Sequence, residues 1–504
     1  MPVPKYDAVR KPFGMLVAAA IAAAVPSAAQ AYDFTAGDLV VSVYGGNGVT
    51  DNQATPITLQ EYTTTGTAVG QLVLPQATSG ANNPISGEYG SSSEGSLALS
   101  QDGHFLTIAG YDVVASTFNA NQQSYGGATK SCIGAATCYP LAQTASVPGT
   151  AGSAGSGVTT AVVVPRVIAL VGFDGSVDTS TALTGVFNEN NPRSVATTNG
   201  SSFYISGQGG KNDTTTQGVF LANDGATTPF AHIYNTVDTR NVSIQNNQLL
   251  LSTDSTEGSG VTENISSLGA AGSLPTGATT PSILNNIASK YTVTSLSQLN
   301  PYDQANLGSN PAFTTASKTK GIIYLSPENF FLANPTTLYV ADSGAPKGDN
   351  NGSGSSAQGV SDGGLQKWTF NGTDWVLDYT LTAGLLDLVP DTTTCGSNQV
   401  GCGTTGLIGL TGEVVGDTVE LFATNATLGD EDPTYLYGID DALSDTTYAQ
   451  ASGESFTLLV TAAAGTNIRG VAFAPVPEPA SLSVLGVGLF GLGAIRRRGR
   501  PAGR

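Results

Sequence analysis

No CxxC pair, phosphate-binding loop, dinucleotide fingerprint, haem motif or basic-aromatic surface occurs in the 504 residues. The sequence signatures of nucleotide, haem and nucleic-acid binding are therefore missing. Histidine is scarce: His104 sits at a turn and His232 in an apolar hairpin, and both read as structural. Charge is also scarce, at 11% of the chain, and mostly of one sign. Three of the 19 basic residues lie in the first 31 positions and five in the last 30. The region between keeps 11 of them against 36 of the 38 acidic residues and so carries about −25. Such a field repels nucleic acid and anionic headgroups and suits solubility outside the cell and divalent cations. Apolar runs fall short of the ~20 residues of a comfortable membrane span, and the two that come nearest stand at the ends.

The first run follows a basic stretch of Lys5, Arg10 and Lys11, covers residues 13–25, and leads to Ala29-Gln30-Ala31, a small-x-small cleavage site. This is the layout of a secretory signal over residues 1–31, with an uncleaved anchor as the alternative. The second run, residues 480–495, carries no charge and is followed by Arg496, Arg497, Arg498 and Arg500. Arginines behind an apolar span stay on the cytoplasmic side, so both ends place the acidic middle across the inner membrane. Gly486, Gly488, Gly491 and Gly493 weaken the expected C-terminal transmembrane helix, as befits a segment held transiently and then processed.

Ahead of that run stands Val476-Pro477-Glu478-Pro479-Ala480. With the apolar stretch and the arginine cluster, this closely resembles the PEP-CTERM sorting signal over residues 475–504. The resemblance implies recognition by an exosortase, a membrane cysteine transpeptidase of Gram-negative bacteria that make exopolysaccharide. It further implies a protein held at the envelope and then periplasmic, surface-bound or released.

Between the ends, residues 32–474 are rich in Gly, Ser, Thr and Asn with recurring alternating apolar runs, the composition of a turn-rich extracellular β protein. The four cysteines form two local sets, Cys132 with Cys138 and Cys395 with Cys402. Outside the cytoplasm they are expected as two short-loop disulfides; zinc is the alternative, unsupported by spacing or by a neighbouring histidine.

One pattern recurs along this region: a short apolar strand, an Asp/Asn/Gly turn, a second mostly apolar strand and a small polar stop. It is found at residues 97–110, 193–207, 241–252, 330–342 and 407–423. Apolar second strands suit inner strands buried on both faces. Longer amphipathic hairpins lie between, the clearest at residues 365–381 around Asn371-Gly372. An inner and an outer hairpin make a four-stranded blade, and a ring of blades makes a propeller. Residues 469–473 look like a first inner strand without a second, and residues 38–44 like a second without a first. Pairing them would close the ring and remove exposed edges.

The expected fold is thus an all-β propeller of six or seven four-stranded blades, with a β-helix or a pair of β-sandwiches as runner-up. Residues 100–106, 338–342 and 365–368 resemble bacterial propellers of the NHL and YVTN type, a likeness that implies fold and not activity. Residues 122–157 and 258–316 are too long for blade connections and read as insertions or a degenerate blade.

Candidate chemistry is thin. Gly359-Val360-Ser361-Asp362-Gly363 matches the GxSxG string, but in a Gly/Ser-rich loop leading into a strand rather than between strand and helix. Asp349-Asn350-Asn351-Gly352-Ser353-Gly354 resembles half a calcium loop, yet Val360 stands where an EF-hand needs glutamate. A simpler calcium site built from loop carboxylates stays open, and no other cofactor is expected. Asp430-Glu431-Asp432 reads as a solvated turn. The expectation is a binding or matrix module associated with exopolysaccharide or other surface proteins. The alternative is a propeller hydrolase or lyase in which residues such as Asp102, Asp254 and Asp342 meet around a metal at the central channel.

Overall fold

The computed structural model describes residues 32–126, 130–132, 135–149, 159–210, 213–254, 264–288, 290–293, 298, 321–344, 363–388, 403–429 and 431–478. Strands dominate. Helices are few and short, such as Ala115–Ala120 and Tyr448–Ala451. Five four-stranded antiparallel sheets account for most of the strands, and a seven-stranded sheet stands between the first and second of them in sequence.

Each regular sheet grows outward from a buried inner strand. Thr337–Asp342 is buried along its whole length, whereas the outermost strand of the first sheet, Ala68–Val73, is largely exposed. This gradient explains why the inner strands lack alternation: both their faces meet neighbouring sheets. The inner hairpins expected from the sequence are all present. Pro192–Ala196 pairs with Ser202–Gly207, Thr239–Gln245 with Gln248–Thr253, Pro327–Asn334 with Thr337–Asp342, and Thr404–Val415 with Thr418–Thr427. The outer hairpin Gly364–Phe370 and Trp375–Leu381 turns at Asn371-Gly372, where Gly372 takes a φ of 99°.

The ends of the body close the ring. Leu39–Gly45 pairs antiparallel with Thr466–Phe473, in register from Leu39 opposite Phe473 to Gly45 opposite Thr466 with one bulge. On its other side Leu39–Gly45 pairs with Thr58–Tyr62, so the first sheet takes its strands from both ends of the body.

Neighbouring sheets are stitched together by hydroxyls. Ser42, Thr107, Ser206, Ser252 and Thr424 each donate to a carbonyl of the adjoining sheet or the segment leading into it. The acceptors are Gly95, Val195, Arg240, Glu328 and Arg469, at 2.5–3.0 Å. At the remaining junction Ala341 stands where a hydroxyl would be, and Gly406 allows close backbone approach, since a Cβ there would collide with the Asp342 carbonyl oxygen. These six junctions return the circuit to its start.

The count of regular blades, five, corrects the expected six or seven. The hairpin at residues 97–110 forms no separate four-stranded blade. Its strands Ala98–Leu99 and Phe105–Tyr111 join the seven-stranded sheet with Arg166–Gly172, Val177–Asp178, Ala182–Leu183, Ser86–Glu88 and Ala54–Pro56. Of the two long insertions, residues 122–157 supply the small hairpin Lys130–Cys132 with Ala135–Cys138. Residues 258–316 supply Asn264–Leu268 and Pro281–Ala288, the outer half of a regular sheet. Among the described residues no helix is long and apolar enough to cross a membrane. The expected span at residues 480–495 lies outside them.

Candidate functional site

Three polar constellations stand out, the first of them where inner strands begin. The first fills the axis. Ser96, Arg240, Asn241, Glu328, Gly409 and Arg469, from different sheets and the segment before the hairpin at residues 97–110, line one small recess beside Glu94. Its volume is about 20 Å³, space for a water or two and not for a sugar ring.

Around the recess Arg240 is held by three carboxylates: Asp238 at 3.3 Å, Asp254 at 3.0 Å and Glu328 at 3.4 Å. Arg193 pairs with Asp238 from the adjoining sheet. Burial works against the Arg240 cation, but the three carboxylates raise its pKa above the ordinary value. Burial likewise opposes the Asp238 carboxylate, and the two arginines hold its pKa below the usual range. Asp254 goes the other way. Burial, helped by Glu328 and Asp238, outweighs Arg240 and pushes it up to about 7. Glu94 is also pushed up to about 7 by burial, although the Glu88 amide and the Tyr111 hydroxyl hydrogen-bond to it. Ion pairs so enclosed tie adjoining sheets together around the axis. Breaking one partner is expensive, because its counterpart stays buried.

The second constellation lies between two regular sheets. Lys367 Nζ donates to Asp441 Oδ2 at 2.6 Å and to the Ala442 carbonyl at 2.6 Å, with both charged side chains almost fully buried. Tyr339 and Tyr379 donate their hydroxyls to the same carboxylate. Burial and Asp441 raise both phenols far above their ordinary range.

The third is an open groove of about 610 Å³ between the first sheet and the last, within the size range of ligand sites. Glu420, Asp440 and Glu454 supply carboxyls, Thr64, Thr65 and Thr457 hydroxyls, and Phe422, Ile439 and Leu459 apolar surface. Burial, then the neighbouring Asp441, pushes Glu454 up to about 8, and its Oε1 accepts from the Ala442 amide at 3.2 Å.

The residues singled out in the sequence do not gather at one point. Asp102 accepts from Ser100 Oγ at 2.6 Å within its own turn. Asp254 belongs to the axial network. Asp342 accepts from the Ser326 and Gly344 amides and from Gln366, all within its own sheet region. Among the described residues no group of three or more His, Cys, Asp or Glu is placed to hold a metal ion. His232 stacks on Phe220 with centroids 4.1 Å apart. Asp432 accepts from the Gly403 and Gly429 amides and Glu431 from the Asp51 amide, so these two acids are tied rather than solvated, while Asp430 lies outside the described residues. Cys138 is a disulfide cysteine. Cys395, Cys402, the 349–354 loop, the GxSxG serine Ser361, the cleavage-site residues Ala29 and Ala31, Pro479, Ala480 and the arginines 496–498 and 500 lie outside the described residues.

The axial network and the groove were missed in the sequence. One signal was available. With only 11 basic residues in the body, Arg193, Arg240 and Arg469 each open or enter a first inner strand, a repeated position that marks the axis.

A closed ring of sheets whose last strand leads directly into residues 475–478 defines a β-propeller. Residues 475–498 match the model of the PEP-CTERM protein-sorting motif, which implies export and processing by an exosortase at the membrane. No curated protein matches the sequence. Two solved structures of AztD from Citrobacter koseri, one of them described as the apo form, align over 88% of this chain and 100% of theirs. Sequence identity is 10% in both, and the TM-scores are 0.30 and 0.29, a likeness too loose to bear on function.

Proposed function

We propose that this chain is an exported binding or structural module of the cell surface, associated with exopolysaccharide or biofilm matrix, and that it recognises glycan in the groove between the first and last sheets. The observation that carries the reading is the groove itself. Its mixture of carboxyls, hydroxyls and modest apolar surface is the chemistry that hydrogen-bonds sugar hydroxyls. The axis is a poorer place for a polymer, because its carboxylates are engaged by arginines and its recess is about 20 Å³. That favours binding over hydrolysis or lysis at the channel.

Retention of the exported protein on matrix polysaccharide in affinity electrophoresis tests this. The expected result is clear retardation that drops about tenfold in Asp440→Asn/Glu454→Gln, a loss of the order of one charged hydrogen bond. Absence of retardation on any matrix fraction refutes it. Repeating the run with a chelator reads out whether calcium, at the 349–354 loop or elsewhere, takes part. Removing residues 476–504 tests the anchoring role: the product should pass from the envelope fraction to the medium.

A further inference from the structure

We propose that the turn at residues 100–104 is a clip that docks the segment entering the sorting motif and slows recognition of that motif by the processing enzyme; the enzymatic part rests on the tail being processed as its motif implies. After the closing strand Thr466–Phe473, the Ala474 amide donates to the Asp38 carbonyl at 2.8 Å. Two residues on, the Val476 amide donates to the Gly103 carbonyl at 2.8 Å, and the Val476 carbonyl lies 3.0 Å from His104 Nδ1. Both backbone groups of the residue directly before Pro477-Glu478-Pro479 are thereby engaged by the body. An enzyme that takes the chain as an extended peptide needs those same groups free, so docking and recognition exclude each other.

The clip is built before the tail reaches it. Ser100 Oγ donates to Asp102 Oδ1 at 2.6 Å and accepts from the His104 and Phe105 amides at 3.1 and 3.0 Å. The Gln101 and Asp102 amides are tied to the Thr197 and Thr198 carbonyls of the next sheet at 3.0 Å. Gly103 holds a φ of 81°, which side-chain-bearing residues rarely adopt, and so turns its carbonyl toward Val476. One of only two histidines in the chain is thus spent on the tail, and its ring must carry the proton on Nδ1 to donate to a carbonyl. Two ordinary hydrogen bonds bias such a docking equilibrium by about tenfold to a hundredfold.

The test compares the full-length chain with His104→Ala and His104→Gln, the latter keeping an amide donor. Hydrogen exchange at the Val476 amide is read on the detergent-extracted precursor, and conversion of precursor to product is followed by pulse–chase in exosortase-positive cells. His104→Ala should raise Val476 exchange several-fold and speed conversion, His104→Gln should lie between it and the parent, and the urea midpoint of the body should not move. Unchanged exchange removes the clip. Raised exchange with unchanged or slower conversion keeps the contact but overturns its braking role. If the parent itself is never converted, the processing reading falls, while the exchange result still decides whether the clip exists.

Discussion

Replacing Lys367 by methionine probes the most deeply enclosed ion pair among the described residues. Its Nζ stands 2.6 Å from Asp441 Oδ2, with the side chains 1% and 0% exposed, and 5.4 and 5.6 Å from the ring centres of Tyr379 and Tyr339. Methionine fills similar space, so the loss is electrostatic. Asp441 keeps its tyrosine donors but loses its only close cation among the described residues. Orphaning one member of a buried pair costs about 3–5 kcal/mol. Asp441→Asn should cost a comparable amount by stranding Lys367. The double variant, neutral on both sides, should cost much less than the two singles together, with a coupling energy of about 2 kcal/mol or more. Urea unfolding followed by tryptophan fluorescence is a suitable assay, because Trp368 adjoins Lys367 in the strand Gly364–Phe370. A single-variant cost below about 1 kcal/mol, or strict additivity in the cycle, would falsify the assignment of this pair as a buried, mutually dependent unit.

Glu94 and Asp254, both raised to about 7, bind protons in the folded protein at pH values where the unfolded chain has released them. Their contribution is therefore largest below about pH 4 and declines as pH rises toward 7. Glu94→Gln should flatten that decline by an amount on the order of 3 kcal/mol between pH 4.5 and 8, read from urea midpoints along a pH series; an unaltered slope refutes the burial argument. Ile468, 1% exposed in the closing strand, should cost about 2–5 kcal/mol as Ile468→Ala and expose the first sheet to limited proteolysis before the others. Protection of that sheet equal to the parent's would contradict closure by the terminal strands. Arg240→Met should destabilise more than Arg193→Met in thermal melts, since it takes the cation from Asp254 and Glu328, whereas Asp238 keeps one arginine in either variant; the reverse ranking would count against Arg240 as the hub.

Much of the architecture was legible because burial on two faces erases alternation. Leu249-Leu250-Leu251 and Leu338-Tyr339-Val340-Ala341 announce inner strands by being apolar throughout. Ring closure was legible for a related reason: residues 38–44 read as a second inner strand without a first and residues 469–473 as a first without a second, and an inner strand left unpaired on one side is untenable. The blade count was not legible. Ala54–Pro56, Ser86–Glu88 and Ala98–Leu99 are two or three residues long, too short to show a period, yet they convert one blade into a seven-stranded sheet. The axial network was hidden because its acids look ordinary along the chain: Asp238 and Asp254 flank the hairpin that carries Arg240, but Glu328 and Arg193 reach this cluster from adjoining sheets only when the ring is assembled. The groove was hidden still further, since its two walls come from opposite ends of the sequence.

That the final strand of the body is also the one that seals the circle has a consequence for timing. A chain threaded outward from its N-terminus exposes Leu39–Gly45 first and must leave one side of that strand vacant for over four hundred residues. The vacancy ends when Phe473 emerges, with Val476 only three positions behind. Completion of the barrier to unfolding and arrival of the address label are thus nearly the same event, and a molecule that failed to seal would present its label on a gaping edge.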